Sequence, residues 1–218
     1  MFHRSLAVVI AAALIWAGPA LAQMVLSEIM FNPAGNERYD EFVELYNFSA
    51  VDTIELEGWL LSDSSGFGRI LAAPGGGSRL APRSYGLILV PGYFSNSTLY
   101  ASRIPAGALL LTIDKAQFGS YGLNNSRPER VSLHRPDSSL AAAHAYTVPN
   151  EEGFSEEKLR LEGGDGADNW GESTVLHGTP GFANSVTPEP VDSTLALMVI
   201  NEIMANPAAG EAEWIECY

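Results

Sequence analysis

Between Met24 and Ser185 the apolar residues come in short runs, broken every few positions by Gly, Pro, Asn, Asp or Ser, and no stretch carries the spacing of a long amphipathic helix. This punctuation restricts the chain to an all-β fold. "VLSEIMF" (25–31) ends at the chain-turning pair Asn32-Pro33. In "EFVELYN" (41–47) the residues alternate, with Phe42, Glu44 and Tyr46 on one face and Val43 and Leu45 on the other. "TIELEGWLLSD", "SYGLILV", "GALLLTID", "ERVSLHR", "SLAAAHAYTV" and "EKLRLEG" continue the series. In the last of these Leu159 and Leu161 oppose Lys158, Arg160 and Glu162. Eight or more short strands at regular spacing, with 21 Gly and 13 Pro to turn them, fit a sandwich or barrel. A parallel α/β architecture would need crossover helices, for which no segment is suited.

The chain also repeats itself. Glu28-Ile29-Met30 recurs as Glu202-Ile203-Met204, Asn32-Pro33-Ala34 as Asn206-Pro207-Ala208, and Glu41-Phe42-Val43-Glu44 as Glu213-Trp214-Ile215-Glu216. The period is far beyond that of a solenoid unit, so a whole domain is being repeated. The expected organisation is a leader over residues 1–22, a β-sandwich over 24–185, a linker over 186–198 and the start of a second sandwich over 199–218. The second copy reaches Tyr218 after two strands, which cannot bury a sandwich core. This leads to the expectation of a longer parent protein; otherwise the short copy is disordered or is lent as strands to another molecule's sheet.

Four pieces in order carry a family resemblance: the Glu28-Ile29-Met30…Asn32-Pro33 opening, the strand Glu41–Leu45, the strand Leu56-x-Gly58-Trp59-x-Leu61-Ser62-Asp63, and the closing Gly178-Thr179-Pro180-Gly181. Together they resemble the lamin-tail domain in its exported bacterial form, over about Val25–Ser185. The resemblance implies an immunoglobulin-like β-sandwich, with a partial second copy at the C-terminus. Nuclear members of that family contact chromatin and envelope proteins, and bacterial members are modules of secreted or surface proteins, often beside hydrolase domains. The family is not known as a catalyst. The function implied is a secreted or cell-surface binding or structural module attaching to a protein, a surface or a polysaccharide. The alternative is an accessory domain of a larger extracellular hydrolase or nuclease whose catalytic part lies beyond residue 218.

The first residues agree with export. Arg4 precedes an uncharged apolar run from Leu6 to Gly18, too short to span a bilayer comfortably, and Ala20–Ala22 supplies the small residues of a cleavage site between Ala22 and Gln23. The alternative is an uncleaved anchor helix. Export to the cell surface, the medium or a periplasm follows, with no transmembrane segment after cleavage. The single cysteine, Cys217, rules out a disulfide framework and a Cys-rich metal site. The formal charge of −14, from 12 basic and 26 acidic residues, repels phosphate backbones, so no nucleic-acid partner is expected.

Candidate sites are sparse. "GGDGADNW" (163–170) fits the opening of a Gly-rich calcium repeat, which makes Asp165 and Asp168 the metal candidates, with Ca²⁺ as the only cofactor considered; the other reading is a surface turn leading into a buried Trp170. Glu28, Glu41 and Glu44, repeated in the second copy, are either a cation or recognition site or acceptors for turn amides. His134, His144 and His177 fit no zinc motif and are not expected to be ligands; alternation places His134 and His144 in strands, where a solvent-facing histidine is common. No nucleophile elbow or phosphate loop occurs, so no catalytic residue is assigned. Trp59 and Trp170 are expected in the core, the alternative being exposed aromatics that stack on sugars. Tyr93, Phe94, Phe118 and Tyr121 lie in loops rich in Gly, Asn and Ser, either a surface for a polysaccharide or a protein or, equally, loops with small local apolar clusters. Asn47, Asn96 and Asn124 begin glycosylation sequons that matter only in a glycosylating host.

Overall fold

The computed structural model describes residues 24–148, 150–188, 200–208 and 210–217. The leader and its Ala22–Gln23 cleavage site lie outside them. The chain divides into a unit ending at Thr187 and a second unit beginning at Pro188.

The first unit is an all-β sandwich. In chain order its elements are β1 (Met24–Met30), the one-turn helix α1 (Glu37–Asp40), β2 (Phe42–Asn47), β3 (Ile54–Glu55), β4 (Leu60–Ser62), β5 (Phe67–Ala72), β6 (Arg79–Leu80), β7 (Tyr85–Leu89), the one-turn helix α2 (Tyr93–Asn96), β8 (Leu109–Ile113), β9 (Glu129–His134), β10 (Leu140–Tyr146), β11 (Glu156–Lys158) and β12 (Trp170–Glu172). Ten strands form one curled sheet in the order β10-β9-β4-β5-β8-β7-β2-β1-β11-β12, and β3 pairs with β6 apart from it. The two layers arise because β5 changes partners midway. Its first half, Phe67–Arg69, pairs with β4, and its second half, Ile70–Ala72, pairs with β8. Such a switch lets one continuous ribbon turn a corner and fold back on itself. The fold-back brings β10 over β1 and β12, where Phe31 stacks on Tyr146 at 4.3 Å and His144 on Trp170 at 3.9 Å.

The alternation seen in the sequence accounts for the main core. Leu26, Ile29, Val43, Leu45, Ile88 and Leu111 from one layer meet Trp59, Leu61, Val131 and Leu133 from the other, with Trp170 at the margin. Each fully buried aliphatic of this kind contributes about 1.5–3 kcal/mol. Both tryptophans expected inside are buried. The opposite face of β1, β2 and β7 is also covered. β7 and β8 pair in parallel, which requires a long return between them. That return runs through α2 and lays Tyr93 and Tyr100 on Met30, Phe42, Leu87 and Leu89 as a second cluster. Tyr100 fixes the return further by donating its hydroxyl to the Asp40 carbonyl at 2.6 Å.

The second unit contains a hairpin, β13 (Ile200–Met204) with β14 (Trp214–Cys217). Its register repeats that of β1 and β2. Glu202 faces Glu216 as Glu28 faces Glu44, Met204 faces Trp214 as Met30 faces Phe42, and each first strand has an irregularity just before its glutamate. Ile200, Ile203, Trp214 and Ile215 are exposed.

Candidate functional site

Residues on two segments line an open polar pocket of about 300 Å³, Glu37, Arg38 and Glu41 on the first and Gln117 with Tyr121–Ser126 on the second. The first wall is α1. Asn36 caps it by accepting from the Arg38 amide at 3.0 Å, while Asp40 Oδ2 accepts from the Asn36 amide at 2.6 Å. Glu41 follows Glu37 by four positions, just past the end of α1, and both line the pocket. The second wall is held by its own polar groups. Gln117 Nε2 donates to the Ser120 carbonyl at 2.8 Å, and Asn124 Oδ1 accepts from the amides of Ser126 and Arg127. Glu129 on β9 accepts from the Asn124 amide at 2.9 Å. Asn125 Nδ2 crosses the pocket to Glu37 Oε1 at 3.0 Å. Tyr121 stands on the rim, 87 % exposed.

Glu41 forms the floor. It is 2 % exposed, its Oε1 accepts from the Leu123 amide at 3.0 Å, and its Oε2, shut off from solvent, has no hydrogen-bond partner among the described residues. Gly122 is at φ +87°, and a side chain there would come within 2.8 Å of Glu41 Oε1, so glycine is required for the loop to reach the carboxyl. Burial pushes the Glu41 pKa up to about 9; the Leu123 amide opposes this, and the charges of Glu37, Asp63 and Glu129 add to it. At neutral pH this buried group is therefore held as a neutral carboxylic acid. Burial also raises Glu37, against its bond from Asn125.

Glu28 and Glu44, the other repeated glutamates, belong to a different structure. They lie with Glu157 on the outer face of β1, β2 and β11, all three fully buried. The segment His177–Thr187 folds over them. Glu28 Oε1 accepts from Ser155 Oγ at 2.5 Å and from the Thr179 amide at 3.0 Å. Glu44 accepts from Ser27 Oγ at 2.7 Å and from the Gly181 amide. Glu157 Oε2 accepts from Ser185 Oγ at 2.7 Å and from the Val186 amide at 3.1 Å. Asn184 Nδ2 donates to the carbonyls of Ser27 and Lys158, each at 2.8 Å. Gly178, at φ +68°, sits so close that a Cβ would fall 1.9 Å from Glu28 Oε1. These glutamates thus serve turn amides, the second of the two readings given above, and Glu41 does so with one of its two oxygens. Val186, placed at the start of the linker, is tied into this arrangement.

Thr179 adds a proton constraint. Its Oγ1 lies 2.8 Å from Glu157 Oε1 and 3.3 Å from Glu28 Oε2, and one hydroxyl has one hydrogen to give. If Glu157 receives it, Glu28 must donate a proton of its own. Burial, followed by the charge of Glu157, pushes the Glu28 pKa up to about 8, in agreement with that assignment. Glu44 is raised as well, by burial and then by Glu28.

The calcium candidates are not brought together as a ligand set. Asp165 accepts from Lys158 Nζ at 2.6 Å and lines a smaller pocket of about 200 Å³ with Lys158, Gly163 and Gly164. Asp168 is exposed, on the single turn Ala167–Asn169. Among the described residues no group of three or more His, Cys, Asp or Glu is arranged to hold a metal ion. Lys158 differs from expectation: it is fully buried, because Asp165 meets its charge and the Trp170 ring lies 5.8 Å from it. His144 differs too. Strand β10 turns that face toward the opposite layer, where His144 is 2 % exposed, stacked on Trp170 and 3.3 Å from Glu156. His134 is half-buried, with its ring edge toward Phe67, and burial lowers the pKa of half-buried His177.

Tyr121 was visible in the sequence as a loop aromatic, and Glu41 as a repeated acid. Their meeting was not, because Glu41 and Leu123 stand 82 residues apart. Among the described residues no helix is long and apolar enough to cross a membrane. No protein-family model matches the chain, and no curated protein matches it at a significant level.

Proposed function

We propose that the first unit is a non-catalytic carbohydrate-binding module of the exported lamin-tail type, one of two related sandwiches in tandem, which attaches its parent protein to a polysaccharide at the cell surface or in the medium. The observation that carries this reading is the pocket beside Tyr121. An exposed aromatic ring offers a flat apolar face to a pyranose, while amides and carboxyl groups of fixed geometry stand ready for its hydroxyls. The loop is tied down before any ligand arrives, which lowers the entropic cost of binding. The tandem arrangement is supported by the shared register of β1–β2 and β13–β14.

Co-sedimentation of the full chain with insoluble polysaccharides tests the proposal. The chain is expected to partition onto at least one of them, and Tyr121→Ala to weaken retention by about tenfold, the loss of a stacking contact of ~1–1.5 kcal/mol. Tyr121 is almost wholly exposed, so its removal spares the fold. Retention that is unchanged in Tyr121→Ala, or absent on every polymer, sinks the carbohydrate reading.

A further inference from the structure

The segment that closes over the outer face of β1, β2 and β11 plays no part in binding a sugar at Tyr121. We propose that residues 177–187 form a proton-gated strap, fastened to Glu28, Glu44 and Glu157 while these acids share protons and released from them, ahead of any unfolding of the sandwich, when all three ionise. The hydrogen bonds carry this inference. Of the groups that bond the three carboxyls, only the hydroxyls of Ser27 and Ser155 belong to the body of the sandwich. The Thr179 amide and hydroxyl, the Gly181 amide, the Ser185 hydroxyl and the Val186 amide all come from the strap. Its other ties are few: the His177 amide to the Gly153 carbonyl at 2.6 Å, and Asn184 Nδ2 to the carbonyls of Ser27 and Lys158. Phe182, its largest apolar side chain, is 51 % exposed. The strap is therefore held down chiefly by carboxyl oxygens, and the single hydrogen of Thr179 Oγ1 serves both Glu28 and Glu157 only if one of them is protonated.

Nothing else in the surroundings can carry the charge. Among the described residues no lysine, arginine or histidine pairs with any of the three acids. The other titratable neighbours are the phenols of Tyr46 on β2, Tyr85 on β7 and Tyr100 in the α2 return, none of them a cation. Three carboxylates out of water and without a counter-ion repel one another, and lifting the strap lets water reach them. In the closed form burial, and then Glu157, raises Glu28 to about 8, and Glu44 is raised by burial and then by Glu28; in the open form both return toward 4.5. The closed form holds protons that the open form gives up, so each such group multiplies the open fraction about tenfold per pH unit between those limits. His177, within the strap, has the opposite sign: burial and then Arg103 lower its pKa, against Asp40, but that effect ends near 6.5. The strap leads directly into the second unit. Its release adds about 35 Å of extended chain to that connection, so an alkaline medium lengthens the tether between the units.

Chymotrypsin digestion of the full chain at pH 7 and pH 9 tests the strap, because Phe182 lies in its middle and Tyr146 in the main core. Initial cleavage after each is followed by mass spectrometry and divided by the rate on a free peptide of the same sequence at the same pH, which removes the protease's own pH dependence. Cleavage then reports the open population at each site. The normalised rate at Phe182 is expected to rise at least about tenfold from pH 7 to pH 9, the share of Glu28 alone. At pH 9 it is expected to exceed that at Tyr146 by at least about tenfold, since the strap lifts while the sandwich stays folded. Glu28→Gln, which keeps the acceptor and cannot ionise, is expected to reduce the rise at Phe182 by at least about threefold. A rate at Phe182 that does not change with pH overturns the proposal. So do equal normalised rates at Phe182 and Tyr146 at pH 9, which would mean that the strap leaves only when the whole sandwich unfolds, and so does an unaltered rise in Glu28→Gln. Should that variant not fold, the two comparisons in the wild-type chain decide alone.

Discussion

A single hydroxyl, that of Thr179, shows how closely individual residues are specified. It stands between Glu28 and Glu157 with one hydrogen, so both contacts are hydrogen bonds only when one of the two carboxyls carries a proton, and the raised pKa of Glu28 places it there. Glutamine at position 28 reproduces that arrangement. Its carbonyl oxygen takes the bonds from Ser155 Oγ and the Thr179 amide, and its amide donates to Thr179 Oγ1 in place of the carboxyl hydrogen. Glu28→Gln is expected to melt within about 1 kcal/mol of the wild type at neutral pH, whereas Glu28→Ala leaves two buried donors unsatisfied and costs about 3 kcal/mol or more. Chemical denaturation of both variants checks this; equal losses would mean that Glu28 is ionised and that the proton assignment is wrong. The sequence carried half of this story. Repetition of Glu28, Glu41 and Glu44 beside apolar neighbours marked them as built into the fold, and Gly178-Thr179-Pro180-Gly181 stood out as a closing motif. That the two belong together was illegible, because Thr179 lies 151 residues from Glu28 and no local pattern links them.

At the scale of strands, alternation was a reliable guide to one face and a poor guide to the other. Val43 and Leu45 of β2 enter the main core as the pattern requires. Phe42 and Glu44 were expected on a separate face, and that face is buried as well, under the α2 return and the closing segment. Strand periodicity reports which residues share a side; what covers that side depends on distant chain. Strand β11 makes the same point with Lys158, whose charge ordinarily marks a solvent face but here points inward because Asp165, seven residues on, reaches back to it. This pair anchors the glycine-rich loop to the sheet. Asp165→Ala leaves an ammonium buried without its partner and is expected to cost about 2 kcal/mol, below the usual 3–5 kcal/mol for a fully buried pair since the Asp165 side chain is 36 % exposed. Thermal melts with and without excess Ca²⁺ separate this role from metal binding. With Asp165 engaged by Lys158, added Ca²⁺ is expected to leave the wild-type midpoint unchanged, whereas a bound ion at a hundred times its dissociation constant would add about 2.7 kcal/mol.

For the whole molecule, the sandwich was legible and its closure was not. Short alternating runs between turn residues imply stacked sheets, but the switch of β5 from β4 to β8 depends on pairing register, which the run "FGRILA" does not encode by itself. The same closure places Glu28, Glu41 and Glu44, with other acids, out of water and makes stability a function of pH. Glu28 rises to about 8, Glu41 to about 9, and Glu44 is raised too, all principally by burial. In the unfolded chain these groups titrate near 4.5. Between those limits the folded state holds more protons than the unfolded state, so stability is fully present below about pH 4.5 and declines as pH climbs toward 9. His177 acts with the opposite sign. Its lowered pKa favours the folded state as pH rises, but that effect ends near the ordinary histidine value of 6.5. Surface carboxylates are already ionised by then, so self-repulsion of the acidic chain is constant above neutrality. The interval from about pH 7 to 9 therefore belongs to the buried acids. The midpoint of thermal unfolding is expected to fall there by at least about 4 °C, as a loss of about 2 kcal/mol gives in a domain of this size, and Glu28→Gln to reduce the fall. A midpoint that holds level or rises over that interval would show that these carboxyls are ionised in the folded protein.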